Sequence, residues 1–232
     1  MSQKNLTIIG LGGVGSWLLQ ALSPFLNYST DEWNVKLVDG DEYEESNRTR
    51  QAFDKLGPKA DVQAEWVDEK YPKVQVNPIF GYVSNAEDCV SPSHVIQENS
   101  FIFSCVDNHK TRLLIQKHCE TLKDVVLISG GNELVDGNVQ VFIREGGESK
   151  TPTIYDYHPE IANPADKSPD EMSCEELAVS QPQLVITNLA TASGMLNVFY
   201  SITQGSFNPL FAEYYTDVLM NKTQPRERER RT

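Results

Sequence analysis

With 232 residues, the chain is long enough for one full α/β domain with a sizeable core. Its 39% hydrophobic and 23% charged content is ordinary for a globular protein, and no apolar run approaches the ~20 residues that span a membrane. A formal net charge of −13 argues against a general polyanion binder, since nucleic-acid affinity rests largely on Lys and Arg neutralising phosphates; a local cationic pocket remains compatible with it.

The N-terminus, MSQKNLTIIG, runs directly into a short apolar strand at Leu6 to Ile9, with no signal-peptide pattern. Gly10, Gly12, Gly13 and Gly15 then form a turn, and Trp17, Leu18 and Leu22 continue as an amphipathic helix. WNVKLVDGD reads as a second strand ending at Asp39. The next stretch, DEYEESNRTRQAF, sets Asp41, Glu42, Glu44 and Glu45 beside Arg48 and Arg50. KADVQAEWVDEKYP is helical, KVQVNPIFGYV alternates as a strand, and NSFIFSCVD is a buried strand ending at Asp107. HKTRLLIQKHCETLK is helical, and DVVLISGGNELVDGNVQVFI reads as strand, turn at Asp136-Gly137, strand.

This alternation predicts an α/β, Rossmann-like, mostly parallel sheet with helices on both faces and an antiparallel extension after about residue 125. In such sheets ligands sit beyond the carboxyl ends of the strands, where the glycine turn, Asp39 and Asp107 all fall. Residues 145–183 are rich in Pro, Ser, Asp and Glu and read as a long crossover loop. LVITNLATASGMLNVFYSI then reads as a buried helix. The expected organisation is one domain over residues 1–220, followed by a disordered charged tail at 221–232.

GLGGVG fits GxGxxG between a strand and a helix. Its glycines let backbone N–H groups approach a phosphate, and the helix N-terminus favours negative charge. Asp39 follows 24 residues after Gly15, close to where an acid binds ribose hydroxyls. These features predict nucleotide binding but suit NAD, FAD, S-adenosylmethionine or ATP alike, so an NAD-dependent oxidoreductase is the rival class.

The set IIGLGGVGS, VDGDEYEESNRTRQ, LGPKA and CVDNHKTR, in this order, resembles the ThiF/MoeB/HesA family of ubiquitin-activating-enzyme-like adenylyltransferases. Its D-x-D…S-N-x-x-R-Q pattern matches at Asp39, Asp41, Ser46, Asn47, Arg50 and Gln51. The resemblance is clear over residues 6–145 and fainter through SCEELAVSQPQLVITNLATASGMLNVF. It implies ATP-dependent adenylation of the C-terminal glycine of a ubiquitin-like or sulfur-carrier protein ending in Gly-Gly, with pyrophosphate released. A thioester or sulfur transfer would follow. The implied ATP-binding residues are Gly10, Gly12, Gly13, Gly15, Asp39, Asp41, Asn47, Arg50, Lys59 and Asp107. Asp39 would hold the ribose; Asn47, Arg50 and Lys59 would face the phosphates; and Asp107 would help hold Mg²⁺. An ordinary helix N-cap is the competing reading of Asp107, and a loop-capping role that of Asp41. Arg48 stands open between a phosphate contact and a surface residue.

Cys174, in the crossover loop, is the candidate thioester nucleophile, although acidic neighbours disfavour its thiolate. Cys105 and Cys119 sit in apolar or helical settings that suggest packing, and Cys89 has no base nearby in sequence. None of the four cysteines forms a CxxC pair, so no zinc is expected and a reducing cytoplasm is the expected compartment. The resemblance implies that many bacterial members lend a partner subunit an arginine from a longer N-terminal segment; with nine residues before Gly10, that arginine is expected to be missing here or to come from elsewhere, such as Arg226 to Arg231. No appended domain for a conjugating enzyme or sulfur transfer follows the small-residue helix, so a minimal, divergent member is expected. A homodimer is expected, with no membrane or nucleic-acid partner. An inactive scaffolding subunit of a heterodimer is a further alternative.

Overall fold

The computed structural model describes residues 3–156, 158–171 and 184–227. In chain order the elements are β1 (Gln3–Ile9), α1 (Gly13–Asn27), β2 (Glu32–Asp39), β3 (Glu42–Tyr43), a 3₁₀ turn (Glu45–Thr49), β4 (Gly57–Pro58), α2 (Lys59–Lys70), β5 (Val74–Phe80), α3 (Pro92–Val95) and β6 (Ser100–Ser104). There follow α4 (His109–Cys119), β7 (Val125–Asn132), β8 (Asp136–Glu145), β9 (Glu148–Ser149), α5 (Pro159–Ala162), a 3₁₀ turn (Pro169–Glu171), α6 (Val185–Thr203), β10 (Glu213–Asp217) and β11 (Lys222–Arg226).

The main sheet runs β11-β10-β8-β7-β6-β1-β2-β5, with β9 paired to β8. Strands β5, β2, β1, β6 and β7 are mutually parallel, and β8, β10 and β11 continue antiparallel, which is the expected α/β architecture with its antiparallel extension. Side chains alternate across the strands and feed two cores. Leu6 and Ile8 of β1, Leu37 of β2, Phe103 of β6 and Ile128 of β7 join residues of α1, α2 and α6 on one face. Ile9, Val38, Ile102 and Leu127 join residues of α3, α4 and α5 on the other. Strands buried on both faces read as near-continuous apolar runs, which is why FIFS and VVLIS carry no polar alternation.

Three local readings change. Asp136 and Gly137 do not form the hairpin turn; they open β8, and the turn is Glu133 to Val135. Gly137 is instead a packing glycine: a Cβ there would lie 2.2 Å from Thr191 Oγ1. Helix α6 is apolar but only one face is buried, leaving Ile186, Leu189 and Tyr200 exposed. By length and composition it could cross a membrane, yet it lies against α1, β7 and β8. Within the expected disordered tail, Lys222–Arg226 form an edge strand with Pro225. A proline, which has no N–H, is tolerated at an edge because no further strand needs a donor there.

Part of the crossover is described, and it lies along α4. Asp166 Oδ2 accepts the His109 N–H at 2.5 Å, Lys110 pairs with Glu171, and the Gln116 amide oxygen accepts the Ile154 N–H. At α5 the segment is tied to the sheet by a cluster around Glu213, which is 2% exposed. His158 Nε2 lies 2.9 Å from Glu213 Oε1, its Nδ1 lies 2.8 Å from Glu160, and Asn138 and Arg226 also reach Glu213. Burial pushes the His158 imidazole down, but hydrogen bonds to the two carboxylates outweigh it and hold the pKa above its ordinary value. A raised histidine pKa contributes stability that is full below the unfolded value of about 6.5 and is lost as pH rises through the folded value. The amides of Ile161 and Ala162, bonded to the His158 carbonyl, should therefore lose hydrogen-exchange protection as pH climbs above about 6.5. The trend should vanish in His158→Gln; a pH-independent wild type would contradict it.

Candidate nucleotide site

Register sets the site. Ile9 is level with Val38 on β2 and with Ser104 on β6, so Gly10, Asp39 and Cys105 leave the sheet at one height. The order β2-β1-β6 places this point where the strand order reverses, the crevice in which doubly wound sheets take ligands. Gly10 has φ +91°, and a Cβ there would lie 2.8 Å from the Cys105 carbonyl oxygen, so only glycine lets the turn pass β6 this closely. The turn delivers the chain into α1 with its first N–H groups unclaimed by any side-chain cap.

Asp39 secures the turn from below. Its Oδ2 accepts the Leu11 N–H at 2.5 Å and its Oδ1 the Asp41 N–H at 2.8 Å. Each oxygen keeps a second lone pair for a sugar hydroxyl. Burial pushes the Asp39 carboxyl above its ordinary value, with the Lys59 charge opposing. The Tyr43 hydroxyl donates to the Leu11 carbonyl at 2.7 Å, so both backbone polar groups of Leu11 are held by this part of the chain. Tyr43 is in turn bonded by Gln63 and stacked on Phe53 at 4.3 Å.

Lys59 and Asp41 form a pair at 2.8 Å, with the lysine buried and the carboxylate about half exposed. Burial pushes Asp41 up, but the Lys59 charge and hydrogen bonds from Lys59 and Tyr82 win, leaving it below the ordinary range. Asp41 is thus the lysine's partner, and its backbone oxygen also accepts the Lys59 N–H, rather than a turn cap. Asn47 caps the 3₁₀ turn, its Oδ1 accepting from the Glu44 N–H, so its Nδ2 is the group left to donate. Arg48 is a surface residue paired with Glu45 and lying over Phe53.

Arg50 differs. Its carbonyl is gripped by Trp17 Nε1 at 3.2 Å and Asn188 Nδ2 at 3.0 Å, while its half-buried guanidinium makes no ion pair among the described residues. Asp107 differs likewise. The α4 N-cap is Asn108, whose Oδ1 accepts the Thr111 N–H at 2.8 Å, so the capping reading of Asp107 fails and its exposed carboxylate has no hydrogen-bond partner among the described residues. Asp107, Asp39 and Asp41 all lie near enough to Tyr82 for their charges to help raise that phenol, after burial. Among the described residues, then, Arg50 has no ion-pair partner and Asp107 no hydrogen-bond partner, and the Asp107 charge reaches the buried Arg112 as well as Tyr82.

The residues fit ATP and Mg²⁺ in kind. The turn offers backbone donors, Asp39 sugar acceptors, and Arg50 a cation, and one hard carboxylate is what Mg²⁺ ordinarily takes beside phosphate oxygens and water. Among the described residues no three His, Cys, Asp or Glu converge as a metal cage. Cys174 lies outside the described residues. Burial raises the Cys105 thiol to about 12 and raises Cys119 as well, so neither is poised as a nucleophile. Arg226 is engaged by Glu213. An open groove of about 490 Å³ beside α2, lined by Lys55, Asp61, Glu65 and Pro78 among others, shares none of these strand-end residues.

Sequence reasoning missed Tyr82, Asn188 and Arg112. Arg112 is buried and donates to the carbonyls of Val106 and Gly130, at 2.7 and 2.8 Å, tying the ends of β6 and β7 together. Arg112 stands in the quoted CVDNHKTR run, so it was the findable one; Asn188 lies in the stretch of fainter resemblance and Tyr82 in a strand end without a motif.

The strand-reversal crevice, glycine turn and strand-end acid define the class as a Rossmann-like nucleotide-binding domain. A family model described as ThiF family matches residues 1–228, and the chain belongs to the ThiF family. The chain is 28% identical over 137 residues to tRNA threonylcarbamoyladenosine dehydratase of Haemophilus influenzae and 27% identical over 138 residues to that of Escherichia coli. Each match covers 56% of this chain, and the chain spans about half the length of these relatives, 49% and 47%. Among solved structures, the Microcin C7 biosynthetic enzyme MccB in complex with N-formylated MccA is similar at TM-score 0.73 and 15% identity, over 98% of this chain and 65% of that one. PaaA is similar at TM-score 0.68 and 17% identity, over 97% and 64%. These structural likenesses carry the fold alone.

Proposed function

We propose that the chain binds ATP with Mg²⁺ and transfers its adenylyl group to the C-terminal carboxylate of a ubiquitin-like or sulfur-carrier protein. What supports this most is a pair of charges near the glycine turn: Arg50, joined to Gly13 through Asn188 and without an ion pair among the described residues, and Asp107, which shares the surroundings of Tyr82 with Asp39 and has no hydrogen-bond partner among them. A terminal carboxylate, with a pKa of about 3.5, is already ionised at neutral pH and needs no general base. One carboxylate oxygen bonds to the α-phosphorus, the bond from that phosphorus to the β-bridging oxygen breaks, and its electron pair leaves with pyrophosphate. No proton moves.

The barrier is the approach of one anion to another, so the work is positioning and charge compensation. Asp39 fixes the ribose, the turn's N–H groups and Arg50 hold phosphate oxygens, and Lys59 adds a buried positive charge held in place by Asp41. Mg²⁺ on Asp107 supplies further charge neutralisation when bound. A thioester step would fall to Cys174. A homodimer is supported by the apolar face of α6 with Phe25 and Tyr28 of the adjoining segment, and sedimentation reads it directly.

ATP–pyrophosphate exchange tests the reading. Exchange should appear only with a carrier ending in Gly-Gly and disappear when its last glycine is removed. Absence of exchange with every such carrier would overturn the choice of substrate. The two tRNA-named relatives favour a second reading, in which the carboxylate is the threonyl group of a modified adenosine. A net charge of −13 weighs against a polyanionic partner, and the same assay with tRNA decides.

A further inference from the structure

Asn188, on the first turns of α6, is wholly buried and lies 138 positions from the residue it touches in the arginine loop. Its Nδ2 donates to the Arg50 carbonyl at 3.0 Å, and its Oδ1 accepts from Asn132 at the end of β7. Its amide lies flat against Gly13, where a Cβ would come within 2.3 Å of Nδ2. One side chain therefore joins the glycine turn, the arginine loop and β7. A buried amide that satisfies both ends in this way has a single orientation available, so its donor is fixed in space. Trp17, from α1, supplies a second donor to the same carbonyl. The Arg50 carbonyl is thus held from two helices while its guanidinium has no ion pair among the described residues.

We propose that Asn188 is a positioning residue for Arg50, setting the backbone from which the guanidinium reaches the phosphates; this rests on the reading of Arg50 as phosphate-facing. It needs no contact of Asn188 with the nucleotide. Gly13 is required on this account for a second reason besides phosphate approach, since any side chain would displace the amide.

Calorimetric affinities for Mg-ATP and for adenosine, which lacks phosphates, test it. Losing one buried neutral hydrogen bond should weaken Mg-ATP about tenfold in Asn188→Ala and leave adenosine within about twofold. Trp17→Phe, a milder change that keeps an aromatic ring but removes the Nε1–H donor, should shift Mg-ATP the same way by about threefold. In Arg50→Ala the Mg-ATP loss should be larger, and adding Asn188→Ala should cost nothing more. Equal losses for adenosine and Mg-ATP would overturn the proposal, as would a loss that persists in the Arg50→Ala background, which would place the effect in the glycine turn. If Asn188→Ala does not fold, Trp17→Phe with and without Arg50→Ala separates the same two outcomes. Failure of the wild type to prefer Mg-ATP over adenosine would instead overturn the functional reading and the proposal with it.

Discussion

Arg50→Ala should weaken Mg-ATP binding by about tenfold to a hundredfold and slow adenylation by about a hundredfold or more, while the folded protein melts within ~1 °C of wild type. The separation of effects follows from the geometry. The guanidinium is half-buried and has no ionic partner among the described residues, so the fold loses little with it. What the fold uses is the Arg50 carbonyl, which alanine keeps. Arg50→Lys should recover little, since a point charge does not reproduce a planar fork on phosphate oxygens. Parallel calorimetry and thermal melts check both halves; a large drop in melting temperature would show that the arginine is a structural residue.

Gly15→Ala should have the opposite profile and the largest effect on stability. In an ordinary helix, Gly to Ala stabilises by about 0.5–1 kcal/mol. Here the added Cβ would lie 1.9 Å from the Gly10 carbonyl oxygen and 3.3 Å from Cys105 Cβ. The first contact is backbone and cannot rotate away. Relieving it means moving the turn off β1, which also breaks the Leu11 N–H bond to Asp39. A loss of ~3 kcal/mol in urea denaturation is expected, together with loss of nucleotide affinity. A stability equal to or above wild type would mean that the turn is held differently.

The parts of this site that sequence reveals are those built from local order. The glycine turn follows a strand and opens a helix, Asp39 closes the next strand, and the Asn47 to Gln51 run follows it within one loop. The sheet was legible for the same reason: β1, β6 and β7 are short apolar runs between turn residues. Long-range choices were not legible. Nothing in TNLATASG says that Asn188 will meet Arg50, because the contact depends on how α6 docks between α1 and the ends of β7 and β8. Tyr82 enters only through the path the chain takes after β5, where Gly40 leaves room for its ring. The N-cap reading that competes with the Mg²⁺ role of Asp107 falls away only when the structure shows Asn108 doing that work. The edge strand Lys222–Arg226 has no apolar pattern because all five residues are exposed, and charge and proline alone read as disorder.

The central claim is that Arg50, and Asp107 through Mg²⁺, bind the triphosphate of ATP. Titrating the protein by calorimetry with Mg-ATP and separately with NAD, in wild type and in Asp107→Ala, tests it most directly. Selective Mg-ATP binding that weakens in Asp107→Ala and loses its dependence on Mg²⁺ is the predicted result. NAD binding that ignores the substitution would contradict it and return the glycine turn to a dehydrogenase.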